Sequence, residues 1–66
     1  MNEQVGMRIK ERRKALNMKQ ETLAKASKVS RARISAIENG KCSNVMMSTL
    51  SAIASALGTT VDFFLG

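Results

Sequence analysis

The fold is decided by residues 16–40, LNMKQETLAKASKVSRARISAIENG. Apolar residues recur at helical spacing on both sides of a short interruption, which predicts two short amphipathic helices joined by a tight turn. The first helix covers about residues 19–27 and the second about residues 31–38. Ser30 is a favourable N-terminal cap for the second helix, and Gly40 is a favourable residue just beyond its end.

The second of these helices has one apolar face and one basic face. Val29, Ile34 and Ile37 share the apolar face and predict packing against the rest of the domain. Small and polar side chains cover the remaining surface, namely Arg31, Ala32, Arg33, Ser35 and Ala36. A helix with a buried back and such a surface has the shape and hydrogen-bonding groups needed to lie in the major groove of DNA. The stretch therefore predicts a DNA-binding helix-turn-helix.

Size and composition exclude several classes of protein. The chain has 66 residues, which is enough for one small domain, and we predict a single helix-turn-helix domain over residues 1–66. It contains no His and one Cys, so neither an internal disulfide nor a Cys/His zinc site can form. No nucleophile–base pair or acidic pair is present, and we expect no enzyme activity, cofactor, metal or small-molecule ligand. No secretory signal or membrane-length apolar run is present, which favours a cytoplasmic protein without a membrane partner.

The charge is concentrated in the first two thirds of the chain. Residues 1–41 contain all eleven basic side chains and four acidic ones, whereas residues 42–66 contain only Asp62. This asymmetry predicts one face that binds a polyanion and one nearly neutral packing face. A solvated basic surface that serves only solubility is the alternative. The coincidence of the charge with the helix-turn-helix favours nucleic acid.

A first helix is predicted before this stretch, over about residues 3–16. Asn2 is its candidate cap, and Lys10, Arg12 and Lys14 face mostly solvent. Gly6 lowers helix propensity by about 1 kcal/mol relative to Ala, which favours a role in the close packing of another element. The predicted buried residues are Val5, Ile9 and Leu16.

Two further helices are predicted after it, and no strand, because alternating runs of β-branched residues are absent. Helix 4 covers about residues 46–57 and ends at Gly58. Thr60 then caps a short fifth helix over residues 61–65. Met46 is expected to fill gaps in the core. The predicted buried residues of helix 4 are Met47, Leu50, Ile53, Ala54 and Leu57. The predicted fold is a compact, all-α domain of five helices.

The combined pattern resembles the Cro/repressor-type (XRE-like) helix-turn-helix family, and especially the N-terminal domains of lambdoid phage repressors. The resemblance implies a lambda-repressor-like fold and a homodimer that binds DNA and regulates transcription. It covers nearly the whole chain and rests on Arg13, Gln20-Glu21-x-Leu23-Ala24, Val29-Ser30-Arg31, Ile34-Ser35, Ile37-Glu38-Asn39-Gly40-Lys41, Thr49-Leu50, Ile53-Ala54, Ala56-Leu57-Gly58 and Val61-Asp62.

Three positions depart from the family pattern. Lys19 stands where the family usually has a Ser or Thr cap, and Lys28 stands in place of the turn Gly. A non-Gly residue at position 28 must then adopt a positive φ at some cost. The loop after Gly40 lacks the usual Pro and is about one residue longer. The first two departures predict a somewhat less stable helix-turn-helix.

The resemblance implies base contacts from helix 3, the recognition helix. Arg31 lies in its first turn, where a guanidinium can bond guanine O6 and N7, and a phosphate contact is the alternative. Ala32 and Ala36 present methyl groups to thymine methyls, or simply give the helix clearance in the groove. Ser35 can donate to or accept from several bases.

The resemblance also implies contacts to the DNA backbone. Gln20 matches the family residue that bonds a phosphate at the start of helix 2, where the free N–H groups favour an anion. Lys19, Arg33, Asn39 and Lys41 join it as predicted backbone contacts. Each lysine taken singly could instead be a solvated surface charge.

Two structural roles complete the predicted site. Arg13 and Glu38 match the family's interhelical ion pair, which orients the recognition helix. The C-terminal helix is the expected dimer interface, with Val61, Phe63 and Phe64 contributing apolar surface. Val61 and Phe64 are also able to face inward, and Phe63 is the main candidate for the interface. The alternative is that Phe63 only covers the edge of the core.

The sequence thus favours a sequence-specific regulator of transcription that binds double-stranded DNA, most simply a repressor. It would act as a homodimer on a two-fold operator whose half-sites lie about one helical turn, ~34 Å, apart. Two alternatives remain open at this point. The chain could be an antitoxin-like or anti-repressor module that binds an acidic protein, or the DNA-binding fragment of a longer repressor.

Overall fold

The computed structural model describes residues 3–42 and 45–65. Within these ranges every regular element is an α-helix, which confirms the predicted all-α fold of five helices. The cap predicted at Asn2 lies outside the described residues. The helices are α1 (Glu3–Ala15), α2 (Gln20–Ser27), α3 (Arg31–Glu38), α4 (Met47–Ala56) and α5 (Val61–Leu65).

Three helices end in the same way, with a left-handed residue that reverses the chain. Asn17 has φ 55° after α1, Gly40 has φ 73° after α3, and Gly58 has φ 69° after α4. After each of them, the next N–H donates back to the carbonyl five residues earlier, as in Lys41 to Ala36 at 2.8 Å. This arrangement satisfies carbonyl groups that the last turn of a helix leaves free. Gly40 and Gly58 were predicted to end their helices.

One hydrophobic core joins all five helices. Helix α1 packs on α3 and α5, and α2 packs on α3 and α4. A short helix gains most of its stability from such packing of its apolar face. The buried apolar residues are Val5, Ile9, Leu23, Ile34, Ile37, Val45, Leu50, Ile53, Ala54, Leu57 and Phe64.

Three predicted core residues are exposed instead. Leu16 is 43% exposed because α1 ends at Ala15 and the chain turns away at Asn17. Met18, after the turn, packs against the core in its place. Met46 and Met47 are 65% and 59% exposed. The predicted buried faces were therefore too long at the end of α1 and at the start of α4.

The exposure of the two methionines follows from where α4 begins. Met46 precedes the helix, and Met47 lies in its first turn. Val45 fills the adjacent edge of the core from the preceding loop. The continuous buried face of α4 begins only at Leu50 and continues through Ile53 and Ala54.

Candidate nucleic-acid interface

The turn between α2 and α3 is held by two serine side chains. Ser27 Oγ donates to the carbonyl oxygen of Leu23 at 2.7 Å and accepts from the N–H of Val29 at 3.3 Å. Ser30 Oγ accepts from the N–H of Arg33 at 3.2 Å and caps α3, as predicted. Lys28 between them adopts φ 60°, the left-handed conformation expected there. These bonds fix the direction in which α3 leaves the turn.

Helix α3 presents the predicted polar surface and buries its apolar back. The side chains of Arg31, Ala32 and Arg33 in its first turn are exposed, and Ser35 and Ala36 are half-buried. Its buried apolar residues are Ile34 and Ile37. Among the described residues, Arg31 has no carboxylate within ion-pair distance. Its guanidinium is therefore available to a ligand.

A groove runs between the start of α2 and the start of α3. We call it the α2–α3 groove, and it is lined by Arg13, Lys19, Gln20, Glu21 and Arg31. Lys19 occupies the N-cap position of α2 without a capping side-chain hydrogen bond. The structure thus brings three of the predicted contact residues together: Lys19, Gln20 and Arg31.

Glu21 is the residue of this groove for which the sequence indicates no role. Its carboxylate contributes a negative charge where phosphate contacts are expected. Acidic residues are favourable in the first turn of a helix, so Glu21 also stabilises α2 against its uncapped start. The family pattern contains Glu21, but its chemistry alone does not point toward DNA.

Glu38 and Arg13 form the expected ion pair between α3 and α1. Arg13 Nε donates to Glu38 Oε2 at 2.8 Å, and Arg13 Nη2 donates to Glu38 Oε1 at 3.0 Å. The Glu38 side chain is fully buried. The hydrogen bond to Glu38 raises the pKa of Arg13, and burial opposes this with a smaller effect. Arg13 therefore stays charged wherever the domain is folded under ordinary conditions.

Two further bonds extend this pair to α2. Arg13 Nη1 donates to the carbonyl oxygen of Met18 at 2.7 Å, just before α2 begins. Gln20 Nε2 donates to Glu38 Oε1 at 3.1 Å. Gln20 was predicted as a phosphate contact, and its bond to Glu38 was not predicted. The spacing of residues 20 and 38 carries no signal for it.

Asn39 and Lys41 lie beyond the other end of α3. Both side chains are exposed, and neither lines the α2–α3 groove. Asn39 Nδ2 donates to Ser35 Oγ at 3.3 Å. This bond links a predicted backbone contact to a predicted base contact.

The α5 side of the molecule shows a mixture of exposed and buried aromatic surface. Phe63 is 52% exposed, and Val61 is half-buried. Phe64 is completely buried, so the prediction that its side chain contributes to an interface is wrong. Its ring fills the core, with the ring of Phe63 edge-on to it at 5.4 Å. Of the two orientations considered for Phe64, the inward one is observed.

Two arginines of α1 bind the ends of α4 and α5. Arg12 Nε donates to the carbonyl oxygen of Leu57 at 3.2 Å, and Arg8 Nη1 donates to that of Phe64 at 3.1 Å. The Arg12 guanidinium also lies 5.8 Å from the centre of the Phe63 ring. The prediction that Arg12 mostly faces solvent is therefore wrong. A cation at a helix C-terminus is favourable because it interacts with free carbonyls.

The described residues offer little to other chemistries. Residues 3–42 and 45–65 contain no group of three or more His, Cys, Asp or Glu side chains that could hold a metal ion. None of the helices in the same ranges is long and apolar enough to cross a membrane.

Comparison with known proteins settles the family. A helix-turn-helix family model matches residues 9–64. The chain belongs to the XRE-type helix-turn-helix family. It is thus a helix-turn-helix DNA-binding protein of the kind that regulates transcription.

Several solved structures resemble it, among them the following two. The restriction-modification controller protein C.AhdI from Aeromonas hydrophila has a TM-score of 0.88 and 31% identity, over 92% of this chain and 91% of that one. Apo-HppE has a TM-score of 0.84 and 25% identity, over 97% of this chain but 36% of that one. This chain therefore spans about a third of HppE. No curated protein matches the sequence.

Proposed function

We propose that this chain is a cytoplasmic transcriptional repressor, without catalytic activity, that binds a specific double-stranded DNA sequence as a homodimer. The observation that carries the proposal is the exposed first turn of α3, where Arg31 lines the α2–α3 groove together with Lys19 and Gln20 at the start of α2. A basic side chain on a capped helix can enter the major groove of DNA, while basic and amide groups at the start of the preceding helix bind the flanking phosphates.

Base recognition is assigned to the outer face of α3. Arg31 bonds guanine O6 and N7, because its guanidinium is exposed and unpaired within the described residues. Ala32 and Ala36 allow the helix to sit deep and contact thymine methyls, and Ser35 bonds an adjacent base edge.

Backbone contacts flank this face on both sides. Lys19 and Gln20 bind phosphate at the start of α2, and Arg33, Asn39 and Lys41 bind phosphate along and beyond α3. Such contacts supply affinity and orientation but carry no sequence information. Because each neutralised phosphate releases counterions, binding should weaken steeply as salt rises.

The homodimer is assigned to the α5 side, through Val61 and Phe63. Phe63 presents half of its ring to solvent on the nearly neutral part of the chain. A two-fold dimer places one α3 on each half of a two-fold operator, with half-sites about 34 Å apart. The similarity to a restriction-modification controller protein supports a regulatory role.

The test is selection of bound duplexes from a random pool by the full chain. We expect enrichment of one sequence with two symmetric halves, and a gel-shift preference over a scrambled duplex of about a thousandfold or more. Lys25→Ala, on the exposed last turn of α2 outside the groove, is the matched control and should leave the preference intact. A pool that yields no enriched sequence contradicts the proposal.

The repressor role needs a separate measurement. The selected sequence is placed over a promoter, and transcription is measured with and without the chain. Repression predicts a loss of transcript that Arg31→Ala relieves. A rise in transcript would instead identify an activator. Specific retention of an acidic protein in place of DNA would identify the protein-interaction alternative.

A further inference from the structure

The side-chain amide of Gln20 joins two sites that the proposed function uses separately. Gln20 lies in the first turn of α2 and lines the α2–α3 groove with Lys19 and Arg31. Its Nε2 group also donates to Glu38 Oε1, at the last residue of α3. One amide thus contacts both the predicted phosphate site and the end of the recognition helix.

The acceptor of this bond is unusually well fixed. The Glu38 carboxylate is fully buried and takes two N–H groups from Arg13 in addition to the one from Gln20. A buried carboxylate needs such donors, because an unpaired charge in the interior is strongly unfavourable. Neither Glu38 nor Arg13 can therefore move freely when Gln20 binds a ligand.

A second hydrogen bond connects Arg13 to the segment just before α2. Arg13 Nη1 donates to the carbonyl oxygen of Met18, two residues before α2 starts. The N-terminal end of α2 is therefore tied to Glu38 twice, through Met18 and Arg13 and directly through Gln20. Helix α3 rises about 10 Å from Arg31 to Glu38 at 1.5 Å per residue, which is short enough to transmit this constraint without bending.

We infer that Gln20 is a positioning residue that holds the phosphate site at the start of α2 in fixed register with Arg31, acting through Glu38. The inference rests on the proposed function. A phosphate bound at Lys19 and Gln20 then sets where Arg31 meets the bases. Loss of the Gln20–Glu38 bond frees α2 and α3 to shift against each other, and correct and incorrect sequences are distinguished less well.

Two simpler roles give different results. If Gln20 only contacts a phosphate, its loss weakens binding to all duplexes equally. If Gln20 only stabilises the fold, its loss lowers the melting temperature but leaves affinity unchanged wherever the variant is folded. Only a positioning role changes the preference between sequences and depends on Glu38.

The experiment uses Gln20→Met, which keeps the length of the side chain but removes its N–H groups. Affinity is measured for the selected duplex and a scrambled duplex, in the wild-type and the Glu38→Met backgrounds, because Met offers no oxygen to accept the Gln20 hydrogen bond. Melting temperatures without DNA are measured on the same four proteins. Ala26→Met, which adds a methionine to an exposed position of α2, is the matched control.

We expect Gln20→Met to weaken binding to the selected duplex about tenfold, the effect of losing one hydrogen bond to a charged group. Binding to the scrambled duplex should fall by less than about threefold, so the preference shrinks. In the Glu38→Met background the same substitution should have little further effect on either affinity or melting temperature, because the acceptor of the bond is already removed.

Equal weakening on both duplexes, or additive effects of the two substitutions, overturns the inference and leaves Gln20 as a phosphate contact. A lower melting temperature with unchanged affinity overturns it in favour of a purely structural role. A wild-type protein that binds no duplex refutes the proposed function instead. The unfolding data then decide alone whether Gln20 is coupled to Glu38.

If Glu38→Met fails to fold, NMR of the wild-type protein provides the second measurement. A side-chain amide proton of Gln20 should exchange with water far more slowly than those of the exposed Asn17, because it is bonded to the buried Glu38 carboxylate. Gln20 amide protons that exchange as fast as those of Asn17 would overturn the inference.

Discussion

Gly6 of α1 lies directly against the carbonyl group of Ile37 in α3. A Cβ atom on residue 6 would overlap the Ile37 carbonyl oxygen and would lie 2.9 Å from its carbonyl carbon and 3.3 Å from the Cα atom of Glu38. All three are backbone atoms, so no side chain can rotate away. The close packing predicted for Gly6 is therefore present, and it sets how near α1 comes to the end of the recognition helix.

Gly6→Ala should destabilise the domain by about 1–3 kcal/mol, because overpacking outweighs the gain in helix propensity. Chemical denaturation followed by circular dichroism measures this directly. The displaced α3 should also bind the selected duplex more weakly. A gain of about 1 kcal/mol, the propensity value alone, would show that the two helices separate without cost.

Arg13→Ala and Glu38→Ala should each destabilise the fold by about 3–5 kcal/mol, because each leaves a buried charge without its partner. The double variant should lose less than the sum of the two. Thermal unfolding of the three variants tests this. An unchanged melting temperature for either single variant would contradict a stabilising role for the pair.

Lys28→Gly should stabilise the domain by about 1 kcal/mol, since a left-handed conformation costs a side chain roughly that amount and glycine nothing. The matched control is Lys25→Gly, which removes the same charge from the helical part of α2 and should destabilise by about 1 kcal/mol. The two variants should therefore move the melting temperature in opposite directions. Two shifts of the same sign would mean that backbone strain at position 28 is negligible.

Most of the fold was predictable because its signals are local. The helix-turn-helix followed from apolar spacing and from caps such as Ser30 and Gly40, all within a few residues of the helices they define. The left-handed backbone at Lys28 followed instead from the family resemblance, which has a turn Gly at this position. Helix ends were less predictable, since Leu16 continues the apolar spacing after α1 has ended and Met47 precedes the buried face of α4.

The contacts of the candidate site were only partly predictable for a different reason. Arg13 and Glu38 were assigned from the family resemblance, not from any pattern of spacing. The bonds of Arg12 to Leu57 and of Gln20 to Glu38 join residues 45 and 18 positions apart, and a single sequence gives no sign of them.

Arg31→Ala should relax base preference at one position in each half-site, at a cost of about 1–3 kcal/mol for the preferred base. Arg33→Ala is the matched control, because it removes the same charge from the same turn of α3 and should weaken all sequences alike. Affinities for a set of singly substituted duplexes separate the two effects. Uniform weakening by Arg31→Ala would reassign this side chain to a phosphate.

Phe63→Asp should abolish the dimer while leaving the monomer folded. Phe63 is about half exposed and Phe64 fills the core beneath it. An Asp at position 63 would lie near the Arg12 guanidinium, which can balance its charge, so the substitution disturbs little within one chain. A single module of this kind buries only about 600–1,000 Å² of protein surface on DNA, and strong binding therefore requires two copies.

The expected result is a loss of about 2 kcal/mol or more on an operator with two half-sites, typical of an aromatic interface anchor, and a much smaller loss on one half-site. Sedimentation should show a matching loss of dimer, in solution or on DNA. Leu16→Asp, which places the same charge on an exposed apolar residue outside α5, should leave the dimer intact. Phe64→Ala should instead unfold the domain, because it empties the core. If Phe63→Asp unfolds the chain as Phe64→Ala does, Phe63 belongs to the core and the interface lies elsewhere.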